Sequence, residues 1–265
     1  NTIIRKNFTS ANSTNYKSGS AILGKASYIK LNNVTVDSNG TFNNHIPVIE
    51  YDDPEINNQS NDSCELILTN VIIKDNFGLS INLEKSNYSN EPFNPNSVFL
   101  DNVVVNNNRV NSSGSYDIGI EINGPYEPIF RNITVLAEGS NAAVLTGSAS
   151  NVFINSIIRN RNISGNGIDG GDLKIYNSNV QNISNLTNNI GSSPVINIDL
   201  DPVFVNPNTD LRLSNFSPCI GAGYDTSVTM LFDIDGNFRP NPTGSNPDMG
   251  AYENSLAIAG VLGCT

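Results

Sequence analysis

The sequence contains no tryptophan, and charged residues make up only 15% of its 265 positions. Basic residues are especially few, because 14 Lys and Arg stand against 25 Asp and Glu and leave a net charge of -11. Nucleic acid is bound through clusters of Lys and Arg, so this composition argues against it as a partner. Neutral glycans, cations and other proteins are the classes of partner that the charge favours.

The sequence also lacks an apolar run of about 18 residues, so it predicts no membrane insertion. Cysteine is scarce: Cys64, Cys219 and Cys264 are odd in number and widely spaced. This pattern fits neither a disulfide framework nor a zinc site, and pairing between any two of the three stays open.

Asparagine is abundant, with 46 of the 265 residues. Its side chain bonds to neighbouring backbone groups, and it tolerates the left-handed backbone region, so it favours turns over helix interiors. The composition therefore predicts an all-β protein.

A repeat of the form apolar-x-Asn-x-x-apolar decides the kind of all-β fold. Six segments share it: Leu31–Val36, Leu68–Ile73, Leu100–Val105, Phe130–Val135, Phe153–Ile158 and Ile175–Val180. The segment Asn1–Phe8 reads like Asn70–Phe77, so we expect the chain to begin within a repeat and to be truncated at its N-terminus.

The repeated asparagines are Asn1, Asn33, Asn70, Asn102, Asn132, Asn155 and Asn177, spaced 22 to 37 residues apart. This spacing fits a coil of about 22 residues plus a variable insertion. Apolar residues alternate on both sides of each Asn, as in two short strands that meet at a bend, and Gly78–Leu83 and Asp117–Ile122 are copies of a third strand. The pattern predicts a single-stranded parallel β-helix with three short strands per coil and about six to eight coils.

The bend between two strands needs a residue that accepts a positive φ and satisfies unpaired turn amides. Asparagine meets both requirements, and its side chains can bond from coil to coil. We therefore expect the seven repeated asparagines to form an internal ladder with a structural role.

The sequence that follows the repeat lacks its pattern, and its most distinctive segments are Ser217–Gly223, Asp233–Pro240 and Asp248–Glu253. These segments resemble the end of bacterial secreted right-handed parallel β-helix proteins of the pectate-lyase-like superfamily, of the choice-of-anchor type. The resemblance implies a right-handed helix with a C-terminal cap that shields its last coil, within which Arg239 pairs with Asp248 or Glu253. It also implies an extracellular or cell-surface location, in a large exported protein of the Bacteroidota kind.

On this basis we divide the chain into β-helix coils at 1–190, the last coils and the cap at 191–253, and a tail or linker at 254–265. The tail is similar to the start of modules that follow such helices, so other domains of the same polypeptide are expected partners.

Asp233, Asp235 and Asn237 place oxygen ligands at alternating positions, as many Ca²⁺ loops do. The bidentate acid of a full EF-hand loop is missing, because Gly244 stands at its position. A structural turn is favoured, and a partial Ca²⁺ site is the alternative. No other cofactor is implied.

Enzymes of the resembled superfamily act through outward side chains of one sheet. Alternation predicts that Ser80, Asn82 and Asn123 face outward on the third strand, together with three acids that would serve a hydrolase: Glu50, Glu84 and Glu121. A solvated acidic face is the simpler reading.

Loop aromatic residues, among them Tyr51, Tyr88 and Tyr126, offer rings that stack on sugars. With Asn82 and Asn123 they are the candidate ligand-binding residues. The leading hypothesis is a non-catalytic surface module, a stalk or adhesin with glycan contact. The runner-up is a polysaccharide lyase or glycoside hydrolase.

Overall fold

The structure is a computed structural model that describes residues 2–5, 21–25, 28–39, 47–53, 65–76, 79–85, 98–106, 108, 119–123, 127–138, 142–147, 150–182, 196–224 and 230–260. Within this part of the chain every regular element is a β-strand. No helix in it is long and apolar enough to cross a membrane.

Two parallel sheets account for most of the strands. The first contains β1 (Thr2–Arg5), β3 (Tyr28–Asp37), β5 (Glu65–Lys74), β7 (Val98–Asn106), β9 (Ile129–Arg131), β10 (Thr134–Ala137), β12 (Ser150–Ile154), β13 (Ile157–Asn160), β15 (Asp172–Tyr176) and β16 (Asn179–Val180). The second contains β2 (Ile22–Lys25), β4 (Ile49–Asp53), β6 (Ile81–Lys85), β8 (Ile120–Asn123), β11 (Ala142–Thr146) and β14 (Asn166–Asp169). An antiparallel pair, β17 (Phe204–Asn206) and β18 (Asp210–Leu213), follows.

The chain alternates between the two parallel sheets, and each strand pairs with its equivalent one repeat later. β5 pairs with β3 before it and with β7 after it, while β6 pairs with β4 and β8. This is the topology of a parallel β-helix, so the predicted fold is confirmed. In the later repeats the bend divides the first sheet's strand into two, as in β12 and β13, which gives three short strands per coil.

The inward side chains form one continuous core along the axis. Val71, Ile73, Ile81 and Leu83 are fully buried, as the alternation predicted, and Phe130 and Phe153 stack with ring centroids 4.7 Å apart. Because apolar burial is the main driving force for folding, this column of side chains holds the coils together.

The bends contain the repeated asparagines. Asn33, Asn70, Asn102, Asn132, Asn155 and Asn177 all have φ between 45° and 54°. Asn1 lies outside the described residues. A positive φ is uncommon except for Gly and Asn, which explains the residue type at each bend.

Part of the predicted ladder follows these bends. Asn70 Nδ2 donates to Asn33 Oδ1 at 3.2 Å, and Asn102 Nδ2 donates to Asn70 Oδ1 at 3.0 Å. Asn33 is nevertheless exposed and Asn70 half-buried, so these two side chains do not lie inside the solenoid. The bend turns the side chain out of the core, and three of the later asparagines, Asn102, Asn155 and Asn177, are covered by the C-terminal segment described below.

A second ladder lies six residues further along and is buried. Asn39 Nδ2 donates to Asn76 Oδ1 at 3.1 Å, and Asn76 Nδ2 donates to Asn108 Oδ1 at 2.9 Å. The same oxygens accept the backbone N–H groups of Asn39 and Asn76. These residues satisfy backbone groups at a turn where no strand pairs with them.

The described parts of the C-terminal segment, 204–224 and 230–254, are called the strap below and pack along the outer side of the first sheet. Outward residues of three successive coils, Val104, Leu136 and Ile157, are buried against it. Upstream of the strap, Ile198 forms a parallel bridge with Asn179 and extends the stack of strands. The expected ion pair inside this segment is confirmed: Arg239 Nη1 lies 2.7 Å from Glu253 Oε1, with both side chains fully buried.

Candidate functional site

The outward face of the second sheet holds the candidate residues from the sequence. The register of β4, β6 and β8 places Glu50, Asn82 and Glu121 in one row across three coils. Leu145 and Asp169 continue the row in β11 and β14. Adjacent strands of a sheet lie about 4.8 Å apart, so the backbones of Glu50 and Glu121 are separated by about 9.6 Å.

The two acids of this row have different surroundings. Glu50 lies in the outward row, but it is only 2% exposed and interacts with other groups. Glu121 is half-buried and accepts a hydrogen bond from the exposed Asn123 Nδ2 at 2.9 Å. Glu84 belongs to the neighbouring row, where it pairs with Asn123, and its side chain lies outside the described part.

Asn82 lies between the two acids. Asn82 as a whole is half-buried, and its Oδ1 atom is buried without a hydrogen-bond partner among the described residues. A buried polar atom of this kind costs free energy unless another group reaches it. Asn82, Glu121 and Asn123 therefore present amide and carboxylate groups at adjoining positions of one face.

Ser80 is not part of this face, contrary to the prediction. It is fully buried, and it occupies the position that Gly119 takes in the next coil. A Cβ at Gly119 would lie 2.7 Å from Val135 Cγ1, which is a core atom. The strand bends at this point, so alternation fails there and the position faces the interior.

Of the three candidate tyrosines, the structure describes only the backbone of one. The backbone of Tyr51 pairs with Leu83 in the second sheet, and its side chain lies outside the described residues. Tyr88 and Tyr126 also lie outside them.

The loop at Asp233 is a hydrogen-bonded turn. Asp233 Oδ1 accepts the backbone N–H groups of Asp235 at 3.0 Å and Asn237 at 2.7 Å. Its Oδ2 accepts Asn237 Nδ2 at 3.0 Å and the Glu253 N–H at 2.9 Å. A Ca²⁺ ion would compete with four donors for this carboxylate. Asp233, Asp235 and Asn237 thus form a structural turn, and the described residues include no group of three or more His, Cys, Asp or Glu that could hold a metal.

A buried charge cluster beside the bends was not anticipated. Arg131 donates from Nη2 to Asp101 Oδ2 at 2.7 Å and from Nε at 3.1 Å, while its guanidinium carbon lies 4.7 Å from the centroid of the Phe99 ring. Burial raises the pKa of Asp101 although Arg131 opposes the shift. Both charged residues immediately precede a bend asparagine, so their opposite charges in adjacent coils were a usable signal.

The strap contains a second buried cluster. Asp248 is fully buried and accepts the N–H groups of Gly221 at 2.7 Å and Asn254 at 2.6 Å. Burial, together with the nearby Glu253 carboxylate, raises the pKa of Asp248 to about 8. The Arg239 guanidinium forms an ion pair with the Glu253 carboxylate. It bonds to Asp248 only at the Asp248 backbone carbonyl, so the two neighbouring carboxylates do not share the ion pair equally.

Comparisons with known proteins do not add to this picture: no family model, no curated protein and no solved structure matches the chain.

Proposed function

We propose that this chain is a non-catalytic β-helix module of an extracellular surface protein, acting as a stalk or adhesin that contacts glycans through Asn82, Glu121 and Asn123. The row Glu50, Asn82 and Glu121 carries the proposal. Its acids are not adjacent: Asn82 separates them, and Glu50 is buried. Glycoside hydrolysis requires a pair of carboxylates that face one groove, so the burial of Glu50 favours binding over hydrolysis.

The internal connections of the molecule support a stalk role. One core runs through the coils, and buried amides link Asn39, Asn76 and Asn108. Satisfied buried polar networks rigidify a structure. A rod with these connections resists bending along its axis.

Charge and chemistry support a neutral glycan as the ligand. Amide groups donate to and accept from sugar hydroxyls, and carboxylates accept from them. With a net charge of -11 the chain repels acidic polysaccharides.

The test combines a glycan array with assays for reducing sugar and unsaturated uronate on the purified protein. We expect binding without product, and binding that weakens at least about tenfold in Glu121→Gln and Asn123→Ala, because each removes a charge or a hydrogen bond of 1–2 kcal/mol or so. Asp172→Asn, an exposed acid in β15 of the other sheet, is the matched control. Release of product would overturn the non-catalytic proposal.

A hydrolase is the second candidate, because Glu50 and Glu121 stand in one row at a backbone separation of about 9.6 Å, near the upper end of the range for inverting enzymes. Product that is lost in both Glu50→Gln and Glu121→Gln would establish it. Loss of product in neither variant would place the activity elsewhere.

A further inference from the structure

The strap is bonded to the side of the solenoid through the bend asparagines and the outward strand positions. Asn155 Nδ2 donates to Tyr224 O at 2.9 Å, and Asn155 Oδ1 accepts the Tyr224 N–H at 2.8 Å. Further along, Asn102 Nδ2 donates to Phe232 O at 2.7 Å, and the Ala251 N–H donates to Thr134 Oγ1 at 2.9 Å. The strap therefore binds a specific surface of the coils through these hydrogen bonds.

The strap and the coils have separate apolar cores. Among the described residues, the core inside the coils ends at Val180. Two other clusters join strap residues such as Leu211, Leu213 and Met249 to outward residues of the coils. Undocking the strap therefore leaves the inner core of the solenoid intact.

When the strap undocks, a hydrogen bond within the coils can replace one of the bonds that the coils make with the strap. In the intact part of the ladder each Nδ2 donates to the Oδ1 of the bend asparagine in the preceding coil. Asn132 Oδ1 has no partner among the described residues, because the next asparagine, Asn155, donates to the strap instead. Once the strap leaves, Asn155 Nδ2 is free to donate to Asn132.

The segment that joins the coils to the strap is short and strained. Up to Ile198 the chain pairs with the coils, since the Ile198 N–H donates to Ser178 O at 2.9 Å. The strap's first strand begins at Phe204. Between them Val203 has φ 47° with its side chain exposed. A β-branched residue is a genuine outlier in this region, and an extended backbone at Val203 would remove the strain.

We infer that two copies of this chain exchange straps, each strap docking on the outward residues Val104, Leu136 and Ile157 of the other copy. The docking surface is the same in the closed and exchanged forms, so exchange creates no new requirement for complementarity. Opening the hinge 201–203 relaxes Val203. Three residues span at most about 10 Å, so the two solenoids would lie side by side.

The first test measures the oligomeric state by light scattering after size-exclusion chromatography, on the 265-residue chain refolded from urea at low and high concentration. We expect a dimer that forms at high concentration and dissociates slowly. Val203→Gly removes the strain of the closed form, so it should weaken dimerisation by about tenfold for each hinge. Val205→Gly, the same change at an exposed position two residues on, is the control.

The second test is complementation between two variants of the 265-residue chain that carry different tags. Leu136→Asp damages the docking surface and leaves the strap intact, whereas Ala251→Asp damages the strap and leaves the surface intact. Neither should dimerise alone, and their mixture should yield a heterodimer on pull-down. Circular dichroism checks that both variants keep their β-structure.

A wild-type protein that stays monomeric after refolding at every concentration would overturn the inference, as would a Val203→Gly variant that dimerises as the wild type does. The Val203→Gly comparison does not depend on the folding of the two aspartate variants.

Discussion

Asparagine has two separate roles in this solenoid, and they occur six residues apart in the chain. At Asn33 the residue provides a left-handed bend and its side chain is exposed. At Asn39 the side chain is buried, and its Nδ2 donates to the backbone carbonyls of Ile4 and Asp37. The first role depends on the backbone and the second on the side chain, so substitutions at the two positions have different consequences.

Asn76 is the central residue of the buried ladder, and we expect Asn76→Ala to lower the free energy of unfolding by about 3 kcal/mol, because several buried donors and acceptors lose their partner. Urea unfolding measures the change. Asn32→Ala, at an exposed position of β3, should alter the free energy by less than about 0.5 kcal/mol. Equal effects at the two positions would contradict a structural role for this ladder.

The sequence predicted the bends but not the buried ladder. The bends are flanked by apolar residues in register, and this pattern is local. Asn39, Asn76 and Asn108 follow the bends at a constant spacing of six residues. Their burial depends on how the turn folds back over the coil, which apolar periodicity does not describe.

At the scale of strands, two ion pairs can be compared. Asp101 in β7 lies opposite Arg131 in β9, and the Asp101 side chain is fully buried. An exposed pair of the same chemistry, Arg212 with Asp210, lies in β18. The two pairs differ in burial, so they separate the contribution of desolvation from that of charge attraction.

We expect Arg131→Met to lower the free energy of unfolding by about 3 kcal/mol at pH 7, because it leaves the Asp101 carboxylate buried without its cation while keeping an apolar contact with Phe99. Adding Asp101→Asn should recover part of the loss. Arg212→Met, the control, should cost less than about 1 kcal/mol since that pair is exposed. A loss of similar size at both arginines would argue against the buried pair.

The cluster of Asp248, Glu253 and Arg239 predicts a pH dependence of stability. The folded pKa of Asp248 is about 8 against an ordinary value of 3.8, so folding takes up a proton between these values. The stability contribution is present in acid and is lost as the pH rises through about 8. We expect a free energy of unfolding that is a few kcal/mol lower at pH 9 than at pH 5.

Asp248→Asn should flatten this dependence, although it lowers stability at every pH, because an amide cannot accept both backbone N–H groups that Asp248 accepts. Chemical denaturation between pH 5 and pH 9 makes the comparison. An unchanged slope in the variant would assign the pH dependence to other acids.

On the scale of the whole molecule, the coils and the strap have separate cores, which predicts that they open in separate steps. Cys219 is a reporter for the strap, because it is buried in the strap cluster and burial raises its thiol pKa to about 11. We expect the Cys219 thiol to become reactive at a urea concentration below that at which the β-sheet signal is lost. Mass spectrometry of the labelled peptide distinguishes it from Cys64 and Cys264. Simultaneous loss of both signals would indicate one cooperative unit.

The sequence predicted the solenoid but not the position of the strap. The coils repeat a pattern that adjacent residues reveal, such as the alternation around Asn70. Docking of the strap joins residues more than 100 positions apart, as in the bond from Ala251 to Thr134, and no periodicity marks such a contact. The same reason explains why Asn155 bonds to the strap rather than continuing the ladder, and why Asn102 bonds to both the ladder and the strap.

The strap limits the number of coils that can lie beneath it. It bonds to the bend asparagines Asn102, Asn155 and Asn177, so its contacts fall at fixed multiples of the spacing between coils. Inserting or deleting one coil within that interval would shift the bonding groups by about 4.8 Å and leave the strap out of register. Coils before Asn70 carry no such constraint from the described strap contacts. We therefore expect duplication of a coil to be tolerated at the N-terminal end and to displace the strap when it falls beneath it.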